Sequence, residues 1–298
     1  MSVNSQTLLA PVSSRRRLTD RGMRALLLAL TLVALVPLVL IIYYLLKEGL
    51  KSFSGSFFTS DPNFSTSFTN GSSSNGGGIE SAIVGSIELV LIATIVSVPL
   101  GLGVALYLSE YGKQGRLATW IRYFLDVMTG VPSVVFGLFI YILLVSGSGE
   151  ALWKASLALA LLMLPIVARA AEVVLDLVPG HLREAALALG APRWRVISKV
   201  VLPTAIPGLV TGVLLAVARG IGETAPVLFV AGGALGTTLN PGGETNALPL
   251  MIYNDISGQY AASPGASGQG WGAALTLVLL VLILNLLARL ISRRSRLA

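Results

Sequence analysis

Six apolar runs, each long enough to cross a bilayer, constrain this chain more than anything else in it. They cover approximately residues 25–46, 79–108, 120–145, 152–175, 204–230 and 271–290, each bounded by charges or by Gly/Ser-rich breaks. A helix rises ~1.5 Å per residue, so about 20 apolar residues cross the ~30 Å of hydrocarbon in a membrane. The pattern predicts an all-α membrane protein with six transmembrane helices. Residues 53–78 and 231–270, rich in Ser, Gly and Asn, are expected as water-exposed connections.

Composition excludes several other classes. With 54% hydrophobic and 12% charged residues, a chain of 298 has too little polar surface to cover a water-soluble globule. It has no cysteine and one histidine, His181, so no thiolate or histidine-cluster metal site is expected. No Ser/His or His-Glu-x-x-His arrangement lies in a span, which argues against an intramembrane hydrolase, and no catalytic residue is expected. The net charge of +7 does not indicate nucleic acid, because the basic residues collect between apolar runs rather than among aromatics. The Arg-rich start resembles a signal-peptide flank. The run behind it is too long for one and lacks a small-residue cleavage site, so an uncleaved first span is expected.

Basic residues near span ends are retained in the cytoplasm, and here they are strongly one-sided. Arg15, Arg16, Arg17, Arg21 and Arg24 precede span one; Lys113, Arg116 and Arg122 follow span two. Arg169, Arg183, Arg193, Arg195 and Lys199 flank or follow span four, and Arg289, Arg293, Arg294 and Arg296 close the chain. The opposite segments hold Lys47, Lys51 and Lys154. Both termini are therefore expected in the cytoplasm, with residues 1–24 and 291–298 as basic tails around a six-span domain of 25–290.

The connection at 178–203 has its own pattern. Leu182, Ala185, Ala186 and Leu189 fall at i, i+3, i+4 and i+7, predicting one apolar face of a short helix. Gly190 supplies a stop and Pro192 prevents resumption. An apolar stripe with no core of its own must lie against the membrane domain or a partner.

This segment resembles the permease subunits of bacterial ABC importers. Their signature, Glu-Ala-Ala, three residues, Gly, nine residues, then Ile-x-Leu-Pro, is matched by Glu184-Ala185-Ala186, Gly190 and Leu202-Pro203, with Val200 in place of Ile. The resemblance implies a type I importer fold in a bacterial inner membrane, with this helix docked in a cleft of a separate ATPase subunit. The chain contains no Gly-x4-Gly-Lys-Ser/Thr phosphate cradle, so ATP and its Mg are expected on that partner, and no cofactor on this chain.

Charged residues inside spans cost roughly 2.5–3.5 kcal/mol on insertion scales, so each is a functional candidate. Arg219 and Glu223 lie four apart, expected on one helical face deep in span five; Arg169, Glu172 and Asp176 share a face of span four; Arg122 and Asp126 share one at the start of span three; Glu88 stands alone in span two. The segment Ala218-Arg-Gly-Ile-Gly-Glu-Thr-Ala-Pro226 resembles the span-five signature of phosphate ABC permeases of the PstA type. Gly130-Val-Pro-Ser-Val-Val-Phe-Gly-Leu-Phe139, Leu164-Pro-Ile-Val-Ala-Arg-Ala-Ala-Glu172 and Glu110-Tyr-Gly112 resemble the same family. Guanidinium offers a planar fork to phosphate oxygens, so Arg219 suits an anionic cargo. Glu223 either holds that fork or accepts a proton-bearing oxygen, and the two side chains alternatively only neutralise one another. Arg169 and Glu88 are further candidates for the path, Arg169 equally as part of an ion pair. Gly220 and Gly222 are expected to let a helix or the cargo approach, and Pro132 and Pro165 to mark kinks.

The resemblance implies a phosphate permease working with a PstC-type sister, an ATPase dimer and an external binding protein. A permease for another oxyanion or for phosphonates, and a passive anion channel, are the competing readings.

Overall fold

A computed structural model describes residues 14–62, 77–112, 115–263 and 265–294; the predicted tail ends and Lys113 lie outside them. The chain divides into two compact units, 1–47 and 48–298. Most of the first unit is α1 (Ser14–Gly49), which starts inside the basic tail and carries Pro37 within it. Its side chains from Leu26 to Ile42 are exposed, as suits a helix whose solvent is lipid.

In the second unit the described elements are α2 (Gly55–Thr59), α3 (Glu80–Leu106), α4 (Arg116–Gly130), α5 (Ser133–Ile140), α6 (Leu152–Asp176), α7 (Gly180–Ala188), α8 (Arg193–Val196), α9 (Leu202–Ile221), α10 (Ala225–Leu228), α11 (Leu248–Ile256) and α12 (Ala266–Arg294). Single π-helical turns, Tyr107–Tyr111, Tyr141–Val145 and Ile197–Val201, extend α3 and α5 and lead into α9. Among the described residues the only β pairing is two isolated bridges, Pro62 with Gly77 and Gly232 with Thr245.

Five helices are long and apolar enough to cross a membrane, and a sixth span arises if α4 and α5 are one bent crossing. The kink expected at Pro132 is a sharp bend, with α4 and α5 meeting at 97° around Val131-Pro132. Proline lacks the amide and biases its predecessor toward extended backbone, and Val131 is extended at ψ 132°. Span five does not run to residue 230: its helix ends at Ile221, and α10 begins at Ala225 after a break. The late connection also holds structure of its own in α11, which packs on α3 and α12.

The core is built around α6. Three clusters of buried side chains follow it from its first to its last turn. Leu152, Ala155 and Ala158 pack with Leu89, Ile140 and Val227; Leu159, Met163 and Val167 with Val90, Ala93 and Ile221; Ala171 and Leu175 with Ala105, Val201 and Leu209. The frequent alanines have a physical reason. Lipid tails are as apolar as leucine, so helices gain little from leaving lipid and rely on close van der Waals packing, which small residues permit. One close approach bears on the site: a Cβ on Gly137 of α5 would lie 2.7 Å from Pro226 Cα of α10. Glycine there lets the two helices beside the breaks touch.

Candidate functional site

The breaks in spans three and five open onto one cavity of about 780 Å³. Val131, Pro132, Ser133 and Phe136 reach it from the bend, Pro165 and Ile166 from α6, and Arg219 and Glu223 from the end of α9. With Val281 and Asn285 of α12, four separated segments thus converge on one space; Pro132, which interrupts its span, and Pro165, through which α6 continues unbroken, both line it.

Arg219 lies in the last turn of α9, while Glu223 stands just beyond its end rather than deep within a continuous helix. The pair is loose. Arg219 Nε is 3.4 Å from Glu223 Oε1, longer than the ~2.7–2.9 Å of a strong charge-assisted bond. The guanidinium side chain is 63% exposed and Glu223 15%. Among the described residues neither Nη group of Arg219 makes a hydrogen bond, so the fork remains free to take oxygens. Of the two flanking glycines, Gly220 abuts Met163 Sδ of α6, whereas Gly222 has no neighbour beyond its own turn.

Arg169 does not line this cavity. Its Nη1 donates to Glu172 Oε2 at 2.9 Å, and its Nη2 bonds Asp126 Oδ1 and the carbonyl of Arg122. Arg122 Nε in turn donates to Glu172 Oε1 at 2.6 Å, and its Nη2 to the carbonyl of Leu108. Glu172 is buried between two guanidiniums. Expected as a set of three on span four and a separate pair on span three, Arg122, Asp126, Arg169 and Glu172 form one network across α4 and α6, and Asp176 accepts instead from Ser109 at 2.7 Å. Glu88 is also absent from the cavity wall, and its Oε2 is buried without a hydrogen-bond partner among the described residues.

The 178–203 connection folds as a helix, a tight stop and a short helix. At its stop Gly190 has φ +78°. Gly190 N–H donates to Leu187 O and Ala191 N–H to Ala186 O, the paired bonds of a Schellman motif. The expected single apolar face is divided. Leu182 and Ala186 pack inward against the Ala171–Leu209 cluster, while Ala185 and Leu189 face out, Leu189 at 89% exposure. Glu184, Leu187 and Trp194 are exposed too. At the far end of the motif, Leu202 and Pro203 open α9.

Sequence reasoning did not find the tie that holds this helix. Arg183 donates from Nε and Nη2 to Glu110 Oε1, and its Nη1 and Nη2 cap the carbonyls of Val178 and Leu175 at the end of α6. One side chain joins α7 to the ends of α3 and α6. Thr129 and Asn285, also in the cavity wall, were likewise missed. Asn285 had a visible signal, a lone amide in an otherwise aliphatic run from Leu277 to Leu287. At the opposite pole Lys154 is buried, its ammonium bonded to Ser148 Oγ and the Gly149 carbonyl. Asp255 of α11, outside the spans, is buried with neither carboxyl oxygen hydrogen-bonded among the described residues, and desolvation pushes its pKa up to about 7.

Comparison with known proteins accords with this architecture. The Mycobacterium tuberculosis (strain ATCC 25618 / H37Rv) phosphate transport system permease protein PstA 1 is 38% identical, over 96% of this chain and 93% of that protein. A Yersinia pestis phosphate transport system permease protein PstA is 38% identical over 94% of this chain and 92% of that protein. Among solved structures, a bacterial ABC transporter involved in the import of the acidic polysaccharide alginate superposes with a TM-score of 0.62. It is 14% identical, with 93% of this chain and 96% of that chain covered. A chain of the MetNI methionine ABC transporter, inward facing, gives 0.58 at 19% identity, covering 73% and 95%. Identities this low speak for the fold alone. The profile of the binding-protein-dependent transport system inner membrane component family matches residues 97–297, and the chain belongs to that family.

Proposed function

We propose that this chain is the permease subunit of an ATP-driven importer of inorganic phosphate, and that the Arg219 cavity is its part of the anion path. The observation that carries the reading is the convergence of the 130–139, 164–172 and 218–226 segments on one cavity bearing a guanidinium with its fork free. Arg219 would take phosphate oxygens in a charge-assisted, two-pronged contact, with Glu223 orienting the fork from one side. The names of the relatives point to the same cargo.

The remaining parts follow the same reading. A PstC-type sister completes the path, an ATPase dimer binds ATP and Mg, and a binding protein delivers phosphate from outside. The one-sided distribution of the basic segments supports a reading with both termini and the Gly190 stop in the cytoplasm of a bacterium and the chain in its inner membrane. The exposed Glu184, Ala185, Leu187, Leu189 and Trp194 form the surface offered to the ATPase. Because Arg183 fastens α7 to the ends of α3 and α6, a displacement of α7 is passed directly into the helices behind the cavity.

Phosphate uptake into vesicles holding the full complex tests this. Uptake should require ATP hydrolysis by a co-purifying subunit. Uptake that persists without ATP would favour the passive channel, and ATP-driven uptake of another oxyanion or a phosphonate in preference to phosphate would favour the sister specificity.

A further inference from the structure

We propose that Asn285 and Thr129 make the cavity selective for anions that still carry a hydroxyl proton; this rests on Arg219 being the anion site. The argument is a count of donors and acceptors. Asn285 Nδ2 donates to the Val281 carbonyl at 2.9 Å, which directs the other end of the amide, Oδ1, elsewhere. Thr129 Oγ1 donates its single hydrogen to the Leu125 carbonyl at 2.9 Å, so only its lone pairs remain to be offered. Both residues line the cavity with Arg219 and Glu223.

Around one guanidinium, then, the wall presents a carboxylate, an amide oxygen and a hydroxyl oxygen whose proton is already spent. Among the side chains of the wall, a fully deprotonated oxyanion such as sulfate finds donors at Arg219, at the remaining amide hydrogen of Asn285 and at the Ser133 hydroxyl, and it confronts the other side-chain oxygens as repulsive lone pairs. An anion with P–OH or As–OH groups donates into those same oxygens. A polar site rejects an analogue that lacks the donor because its acceptors are left unpaired, a penalty graded by burial: Glu223 is 15% exposed and Asn285 half-buried, whereas Thr129 is exposed and contributes least. The position of Asn285 fits a role beyond packing. Its neighbours Leu282, Ile283, Leu286 and Leu287 are exposed aliphatics, and a polar side chain among them is costly unless it serves a purpose.

The experiment measures binding of radiolabelled phosphate to the purified permease–ATPase complex without binding protein, with arsenate and sulfate as competitors. Arsenate should compete and sulfate should not. Asn285→Leu should weaken phosphate binding about tenfold and the weak binding of sulfate much less, since sulfate loses one donor but also one repulsive lone pair, so that discrimination narrows. Thr129→Val should do the same to a smaller degree, and Thr129→Ser, which keeps the hydroxyl, should restore it. Equal losses for both anions in the Leu and Val variants, or no change in either, would overturn the selectivity role. A wild-type complex that binds phosphate and sulfate alike overturns this inference alone, while one that binds neither overturns the assignment of the Arg219 site with it.

Discussion

Two arginines of this molecule, only fifty positions apart in the chain, are held in opposite ways. Arg169 has both Nη groups engaged, and in that sense its fork is saturated: it bonds Glu172, Asp126 and a backbone carbonyl, and Glu172 is shared with Arg122. Arg219 has one long contact, to Glu223, and most of its side chain is exposed to an open cavity. Both sit in segments that resemble phosphate permeases, so motif membership does not separate them. Satisfaction of hydrogen-bonding capacity does. A guanidinium whose two Nη groups are both engaged fastens helices together, and one whose Nη groups are unengaged is available to a ligand.

The largest effect should come from breaking the saturated side. Glu172→Ala removes a buried carboxylate and leaves two guanidiniums facing one another. Breaking a buried pair from one side costs roughly 3–5 kcal/mol, and the partial exposure of both arginines argues for the low end, about 3 kcal/mol. The thermal midpoint and the yield of assembled complex in detergent should both fall sharply. If Glu172→Ala assembles with a normal midpoint but fails to transport, the network belongs to the path and the contrast between the two arginines collapses.

Arg219→Lys tests the unsaturated side, with an intermediate effect. Lysine keeps the charge and loses the planar fork, so a pair that merely neutralises Glu223 would tolerate it. Losing a charge-assisted bidentate contact should weaken the anion's passage state by roughly 1.5–3 kcal/mol, about tenfold to a hundredfold in ATP-driven phosphate uptake, with assembly intact by co-purification. Glu223→Gln should damage uptake less, because the amide can still orient the fork. Near-normal transport by an assembled Lys variant would make Arg219 structural and direct the search for the anion site to Arg169.

Much of this was legible in the sequence because it is local. Long apolar runs mark spans whatever their neighbours, and the Gly190 stop and the helix before it depend on residues within a few positions. What was not legible depends on which helices lie side by side. Arg122 and Asp126 read as a pair because they share a turn, yet each is engaged from α6, and only the packing of α4 on α6 decides that. The division of the α7 stripe follows from Arg183 turning Leu182 and Ala186 inward, an anchor set by Glu110, whose place beside α7 no spacing reveals. Pro132 announced a kink, though not one of 97° that turns a span into a cavity wall. Attending to charges alone also passed over Asn285 and Thr129, whose polarity becomes informative only once they share a wall with Arg219.

The smallest effect on transport is expected at Asp255, which extends the comparison to carboxylates. Glu172 and Asp255 are similarly buried, at 6% and 1% exposure; the first has two guanidiniums and the second has no hydrogen-bond partner among the described residues. Desolvation raises Asp255 from its ordinary 3.8 to about 7, so it is protonated in the folded chain over a range where the unfolded chain is ionised. The folded state then binds more protons than the unfolded state between pH ~4 and ~7, and stability contributed by this group declines as pH rises through that window and is level above it. Asp255→Asn is neutral at every pH and should remove that slope. The measurement is the thermal midpoint of detergent-solubilised complex from pH 4 to 8 for both proteins. The variant should gain on the wild type as pH rises toward 7 and hold a constant advantage beyond, while phosphate uptake stays close to normal. Parallel curves would mean that Asp255 is ionised in the folded complex and held by a cation from another subunit, which would place it with the saturated groups.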